Sequence, residues 1–106
     1  MAYPNDPPAP PTLALKSGES INTGLVGWWP LTETDNYVSG AADISGNANN
    51  GTQSGGVLSA ATSIGNAASF DGADDYISIA DTDDLRFGDG STDSAFSVSA
   101  WIYLNN

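Results

Sequence analysis

The feature that most constrains this chain is the run Phe96-Ser97-Val98-Ser99-Ala100-Trp101-Ile102-Tyr103-Leu104. Phe96, Val98, Ala100, Ile102 and Leu104 share one parity, and Ser97, Ser99, Trp101 and Tyr103 share the other. Successive side chains of a β-strand point to opposite faces, so this period of two predicts a strand whose first set enters a core. The expected companions in that core are Trp29, Leu31, Phe70 and Ile77 or Ile79. No segment sustains the i, i+3, i+4 apolar spacing of an amphipathic helix, so the expected fold is all-β, with nothing helical beyond a turn or two.

Upstream, Ala67 to Phe70 and Tyr76 to Ile79 read as strands flanking Asp71-Gly72-Ala73-Asp74-Asp75. Asp-Gly provides a left-handed position and side-chain acceptors, which predicts a tight acidic turn closing a β-hairpin. Val57-Leu58 and Ile64 to Phe70 read as short strands. Leu25 to Leu31 reads as another, apolar on both parities and ended by Pro30, with Trp28 and Trp29 read as core aromatics ahead of a competing sugar-stacking role. Asp81 to Phe87 predicts one short helical turn or a loop pinned to the core, with Arg86 paired to a neighbouring carboxylate. Gly88 to Ser94 is a further acidic loop.

Pro4, Pro7, Pro8, Pro10 and Pro11 crowd the start of the chain and enforce extended backbone without ladder hydrogen bonds. Residues 1–23 are therefore expected to form a Pro-rich extended arm or linker, with Thr12 to Leu15 as a short edge strand or anchor. The domain proper is expected over residues 24–106.

Thirteen acidic residues against Lys16 and Arg86 give a net charge of −11. That balance opposes binding to nucleic-acid phosphates and anionic membranes. No segment has the apolar length of a membrane span, and the N-terminus lacks the basic and apolar regions of a secretory signal. With neither cysteine nor histidine in the chain, disulfides, Ser–His or Cys–His nucleophilic pairs and Cys/His zinc sites are excluded. Any catalysis would run on carboxylates. Glu19 and Glu33, the two glutamates, lie far apart beside turns, and Asp74 and Asp75 are adjacent and would face opposite ways on a strand. The chain therefore reads as a non-enzyme.

The stretch Asp43-Ile44-Ser45-Gly46-Asn47-Ala48-Asn49-Asn50-Gly51 is rich in residues that tolerate left-handed backbone and bond their own main chain, which predicts a compact structured loop. Asp43, Asn47 and Asn50 also make an oxygen set suited to calcium. Turn geometry and metal binding are competing readings of the same residues.

Four segments, taken in order, carry a resemblance: Gly24-Leu25-Val26-Gly27-Trp28-Trp29-Pro30-Leu31, Asp43 to Thr52, Ser69 to Ile77, and Phe96 to Trp101. Together they resemble the laminin-G-like, concanavalin-A-like lectin-glucanase jelly-roll family, over Gly24 to Leu104. The resemblance implies an antiparallel jelly-roll sandwich of two sheets, of which this chain matches the N-terminal half, and a role in binding or adhesion. Trp101 and Tyr103, opposite the core parity of their strand, become candidate ligand-binding residues for a glycan or other surface ligand, and family loops like that at Asp43 lie near calcium. A second reading is a structural protein, such as a virion decoration or appendage component, whose sandwich and arm contact other copies of itself or a larger protein assembly. It draws on the Pro-rich arm and the half-length match, and it places the chain on the surface of a virion or other exported assembly. Both readings expect missing strands to come from a continuation or from partner chains.

Overall fold

The computed structural model describes residues 24–105. The expected Pro-rich arm, the Thr12 to Leu15 strand and Glu19 lie outside the described residues. Within them the chain is all-β, as expected. Its strands are β1 (Gly51–Ser54), β2 (Leu58–Thr62), β3 (Gly65–Ser69) and β4 (Tyr76–Ile79), followed by a 3₁₀ turn at Asp83–Leu85. They form two small antiparallel sheets, β1 with β4 and β2 with β3. No helix among the described residues is long and apolar enough to cross a membrane.

The hairpin lies one strand earlier than the sequence suggests. β2 and β3 pair from Leu58↔Ser69 to Thr62↔Gly65, closed by Ser63 and Ile64. Gly65, at φ 129°, takes a backbone conformation closed to most side chains. The strands flanking Asp71 to Asp75 do not pair with each other: β4 pairs with β1, Gly51 facing Ile79 and Ser54 facing Tyr76. The acidic turn thus carries the chain from one sheet to the other. Its carboxylates hold the crossing itself, Asp71 Oδ1 accepting the Ala73 N–H at 2.8 Å and Asp75 Oδ2 accepting the Asp71 N–H at 2.9 Å. These bonds satisfy the loop locally in place of ladder bonds across it.

Among the described residues the fully buried hydrophobic ones are Tyr37, Ala41 and Val57, with Trp29, Leu31, Ala68 and Ile77 packed against them. Covering a side chain such as Val57 contributes about 1.5–3 kcal/mol. Tyr37 was hidden in a polar stretch. It sits at φ 58°, directly after Asn36 at φ 54°, and its hydroxyl donates to the Leu31 carbonyl at 2.8 Å. That left-handed pair turns the backbone so that the ring reaches the core.

Two strand expectations are corrected. Leu25 to Leu31 is half-buried but belongs to no ladder among the described residues. Its Trp28 N–H goes to a side chain, Asp43 Oδ1, at 2.9 Å, and Leu31 at φ 57° ends the extended path. Phe96 to Leu104 likewise has no ladder partner among the described residues. Val98 and Ile102 are each 83% exposed, Ser97 and Ser99 are exposed too, and Phe70 is 48% exposed, so the expected core around this run is absent there. Alternation states which residues share a face, and burial needs a second layer to lie against it. The beginning of the run is anchored by Phe96 stacked on Phe87, ring centroids 4.6 Å apart.

Asp81 to Phe87 meets its expectation: the 3₁₀ turn is there, and Arg86 binds Asp81 through Nε and Nη2 (3.2 and 2.9 Å) and Asp83 through Nη1 (3.0 Å). No side chain caps the turn. The Thr82 hydroxyl is used elsewhere, donating to Asn49 Oδ1 at 3.0 Å.

Candidate functional site

The loop from Asp43 to Asn50 is built around one carboxylate. Asp43 Oδ1 accepts the N–H groups of Trp28 (2.9 Å) and Ser45 (2.8 Å), while Oδ2 accepts the Ser45 hydroxyl (2.9 Å) and the Asn49 N–H (3.0 Å). Partial burial pushes this carboxyl's pKa up, but the hydrogen bonds from Trp28, Ser45 and Asn49 outweigh it, and the net shift is below the ordinary value of 3.8. The sequence reason is local: Asp43 followed by Ser45 forms an Asx turn, and Gly46 and Ala48 adopt positive φ so that the chain can curl back.

Asn49 is the second member of this loop and is 4% exposed. Its Nδ2 donates to the Val26 carbonyl at 2.8 Å, its Oδ1 accepts from Thr82, and its own carbonyl accepts the Trp29 indole N–H at 2.7 Å. With its N–H on Asp43, each polar group of the residue is engaged. A buried amide with this many partners ties the Val26–Trp29 segment and the Asp81–Phe87 segment to the loop. Sequence reading named Asp43, Asn47 and Asn50 but passed over Asn49, because nothing in a run of asparagines marks which one is buried.

The three residues expected as calcium ligands are used as hydrogen-bonding groups. Asp43 has two donors on each oxygen, Asn50 Oδ1 accepts the Asp43 N–H at 2.9 Å, and Asn47 Nδ2 donates to the Leu25 carbonyl at 2.9 Å. A cation at Asp43 would have to displace donors already aimed at its lone pairs, so this loop as folded does not fit calcium. A separate group, Asp71, Asp74 and Asp75, brings one carboxylate oxygen from each within 4.8 Å of the others. Asp71 Oδ1 there holds the N–H groups of Ala73 and Asp74, and the Ala73 bond first of all lowers its pKa.

Asp89 repeats the device, accepting the N–H groups of Ser91 (2.8 Å) and Thr92 (2.6 Å), and Asp35 Oδ2 accepts the Ser39 hydroxyl (2.6 Å) and N–H (3.1 Å). Much of the acidity of the chain is therefore turn-forming. Glu33, the sole glutamate among the described residues, holds the Ala42 N–H at 2.7 Å with Oε1.

The other candidate residues, Trp101 and Tyr103, lie in an uncharged run of the chain. Trp101 is 102% and Tyr103 88% exposed, and no charged residue occurs between Ala95 and Asn105. The run begins beside an open cleft of about 350 Å³ that residues 24–27 and Phe87 share with residues 95–97. The Trp101–Tyr103 pair and the Asp43 loop are not brought into one site by any contact among the described residues. Comparison with protein-family models, curated proteins and solved structures finds no match.

Proposed function

We propose that this chain is a non-catalytic recognition module of the laminin-G-like β-sandwich type, with Trp101 and Tyr103 as the platform that meets a glycan. The observation that carries the reading is the complete exposure of the Trp101 side chain, with Tyr103 two residues on and charge absent from the whole run. Once paired as the strand that its alternation predicts, this run sets Trp101 and Tyr103, at i and i+2, on one face about 6.6 Å apart. That spacing suits the apolar face of a pyranose ring, which aromatics hold by CH contacts while a few polar groups set orientation. The two two-stranded sheets, joined by the Asp71–Asp75 crossing, are in this reading the nuclei of the two layers of a jelly roll. A glycan array probed with the chain and with Trp101→Ala tests it: binding lost in the variant supports the platform, and no binding by the parent chain removes it.

A second reading, a structural component of a larger assembly such as a virion appendage, is favoured by one specific observation. Phe96, Val98, Ile102 and Leu104, the parity opposite the glycan platform, are also exposed. An apolar strand face of that length is more than a sugar needs, and natural proteins cover or pair such edges. In this reading the cover is another copy of the chain or a larger protein, at the surface of an exported assembly. Light scattering across a concentration series distinguishes it, since an assembly component gains mass with concentration and a monomeric lectin does not.

A further inference from the structure

We propose that Asn50 is a self-modifying site, a succinimide-forming asparagine whose conversion is gated by opening of the Ala41–Gly51 bridge. The fold itself creates the labile dipeptide. At position 51 a Cβ would come within 2.5 Å of Ile77 Cγ2 and 3.2 Å of Ala41 Cβ, so only glycine fits where β1 begins. A following glycine also leaves the main-chain nitrogen least hindered for attack on the preceding asparagine side chain. Packing at Ile77 therefore holds glycine at position 51, directly after Asn50, which is exposed to water.

The reaction needs no partner beyond water. The Gly51 nitrogen attacks Asn50 Cγ; the new N–Cγ bond replaces the bond to the side-chain amide nitrogen, which leaves as ammonia with the proton that Gly51 gives up. Water then opens the ring at one carbonyl or the other, giving aspartate or isoaspartate. In the folded chain both reacting groups are engaged by other segments. The Gly51 N–H donates to the Ala41 carbonyl at 2.8 Å, the Ala41 N–H returns to the Gly51 carbonyl at 2.9 Å, and Asn50 Oδ1 holds the Asp43 N–H at 2.9 Å. Conversion therefore waits for local opening of this bridge. Once made, isoaspartate routes the main chain through Cβ immediately before β1, which displaces the Gly51↔Ile79 register, and either product sets a new carboxylate beside Asp43.

The test follows ammonia loss in the full chain at mildly alkaline pH, folded and in concentrated urea, by intact mass and by mapping the tryptic peptide between Lys16 and Arg86. Conversion at residue 50 is expected to be at least about tenfold faster in urea, equivalent to about 1.4 kcal/mol of local opening. Asn50→Gln should abolish the fast phase. Equal rates in the two states, a fast phase that survives Asn50→Gln, or conversion in urea that falls first on Asn47, Asn49 or Asn66 would each overturn the proposal.

Discussion

The indole N–H of Trp29 donates to the main-chain carbonyl of Asn49 at 2.7 Å, across twenty residues of sequence. This bond places a large aromatic against the Tyr37–Ala41–Val57 core without any strand pairing at Trp29. Segments here are joined by side chains of the Asp43–Asn50 loop where a larger sheet would use ladders.

Asn49→Ala removes the partners of the Val26 carbonyl and the Thr82 hydroxyl together. Leaving buried polar groups unpaired costs about 1–3 kcal/mol, so a loss in that range is expected in urea unfolding followed by tryptophan fluorescence. A change below about 0.5 kcal/mol would mean that water replaces the amide at no cost.

Acid should weaken the fold through Asp43. Its folded pKa lies below 3.8, so its contribution is complete above the unfolded value and is lost as pH falls from there through the folded value. Thermal midpoints measured from neutral pH downward should hold level and then drop in that acidic window. Asp43→Asn should show a lower midpoint at neutral pH and a smaller drop in acid.

At the other end of the scale the sensitive group is Tyr37. Burial first, then the charges of Glu33 and Asp35, push its phenol up from 10.0 to about 12. A raised folded value means that stability is intact below pH 10.0 and fades as pH climbs towards about 12. Tyr37→Phe should lose about 1 kcal/mol at neutral pH, from the bond to Leu31, and its stability should no longer fall in that alkaline range on Tyr37's account.

Calcium should leave the melting midpoint unchanged at millimolar concentration, since the Asp43 oxygens are already committed to N–H and O–H donors. An ion present at 100 times its dissociation constant would add about 2.7 kcal/mol. A clear upward shift that survives Asp43→Asn would point instead to Asp71, Asp74 and Asp75.

Trp101→Ala should change the stability of the isolated chain by no more than about 0.5 kcal/mol, because the side chain is fully exposed. The same variant tests glycan binding, so the two measurements separate a lost ligand contact from a damaged fold.

Legibility in the sequence followed the range of the forces involved. Short-range rules located β3, β4 and the 3₁₀ turn, the Arg86 pairs, and the turn-forming use of Asp43 and Asp71, since each rests on neighbours a few positions away, whereas β2 was met only at Leu58, its first residue. What sequence reading missed was long-range. That β4 joins β1 rather than β3 depends on where Gly51 and Ile77 meet, and β1 itself, Gly-Thr-Gln-Ser, has no apolar alternation to announce it. Tyr37 was missed as a core residue because its burial needs two consecutive left-handed residues in a polar stretch. For Phe96 to Leu104 the alternation is unmistakable, but alternation alone does not supply the layer that would cover it.

The hydrogen bonds of Asp43 carry a consequence for amide exchange with solvent deuterium. In most β proteins slow-exchanging amides trace the strands. Here the N–H groups of Trp28, Ser45 and Asn49 end on one carboxylate and lie outside every ladder, whereas the β2–β3 hairpin is largely open to water. A deuterium map should show an island of protection at these three amides, and protonating one side chain should erase all of it at once.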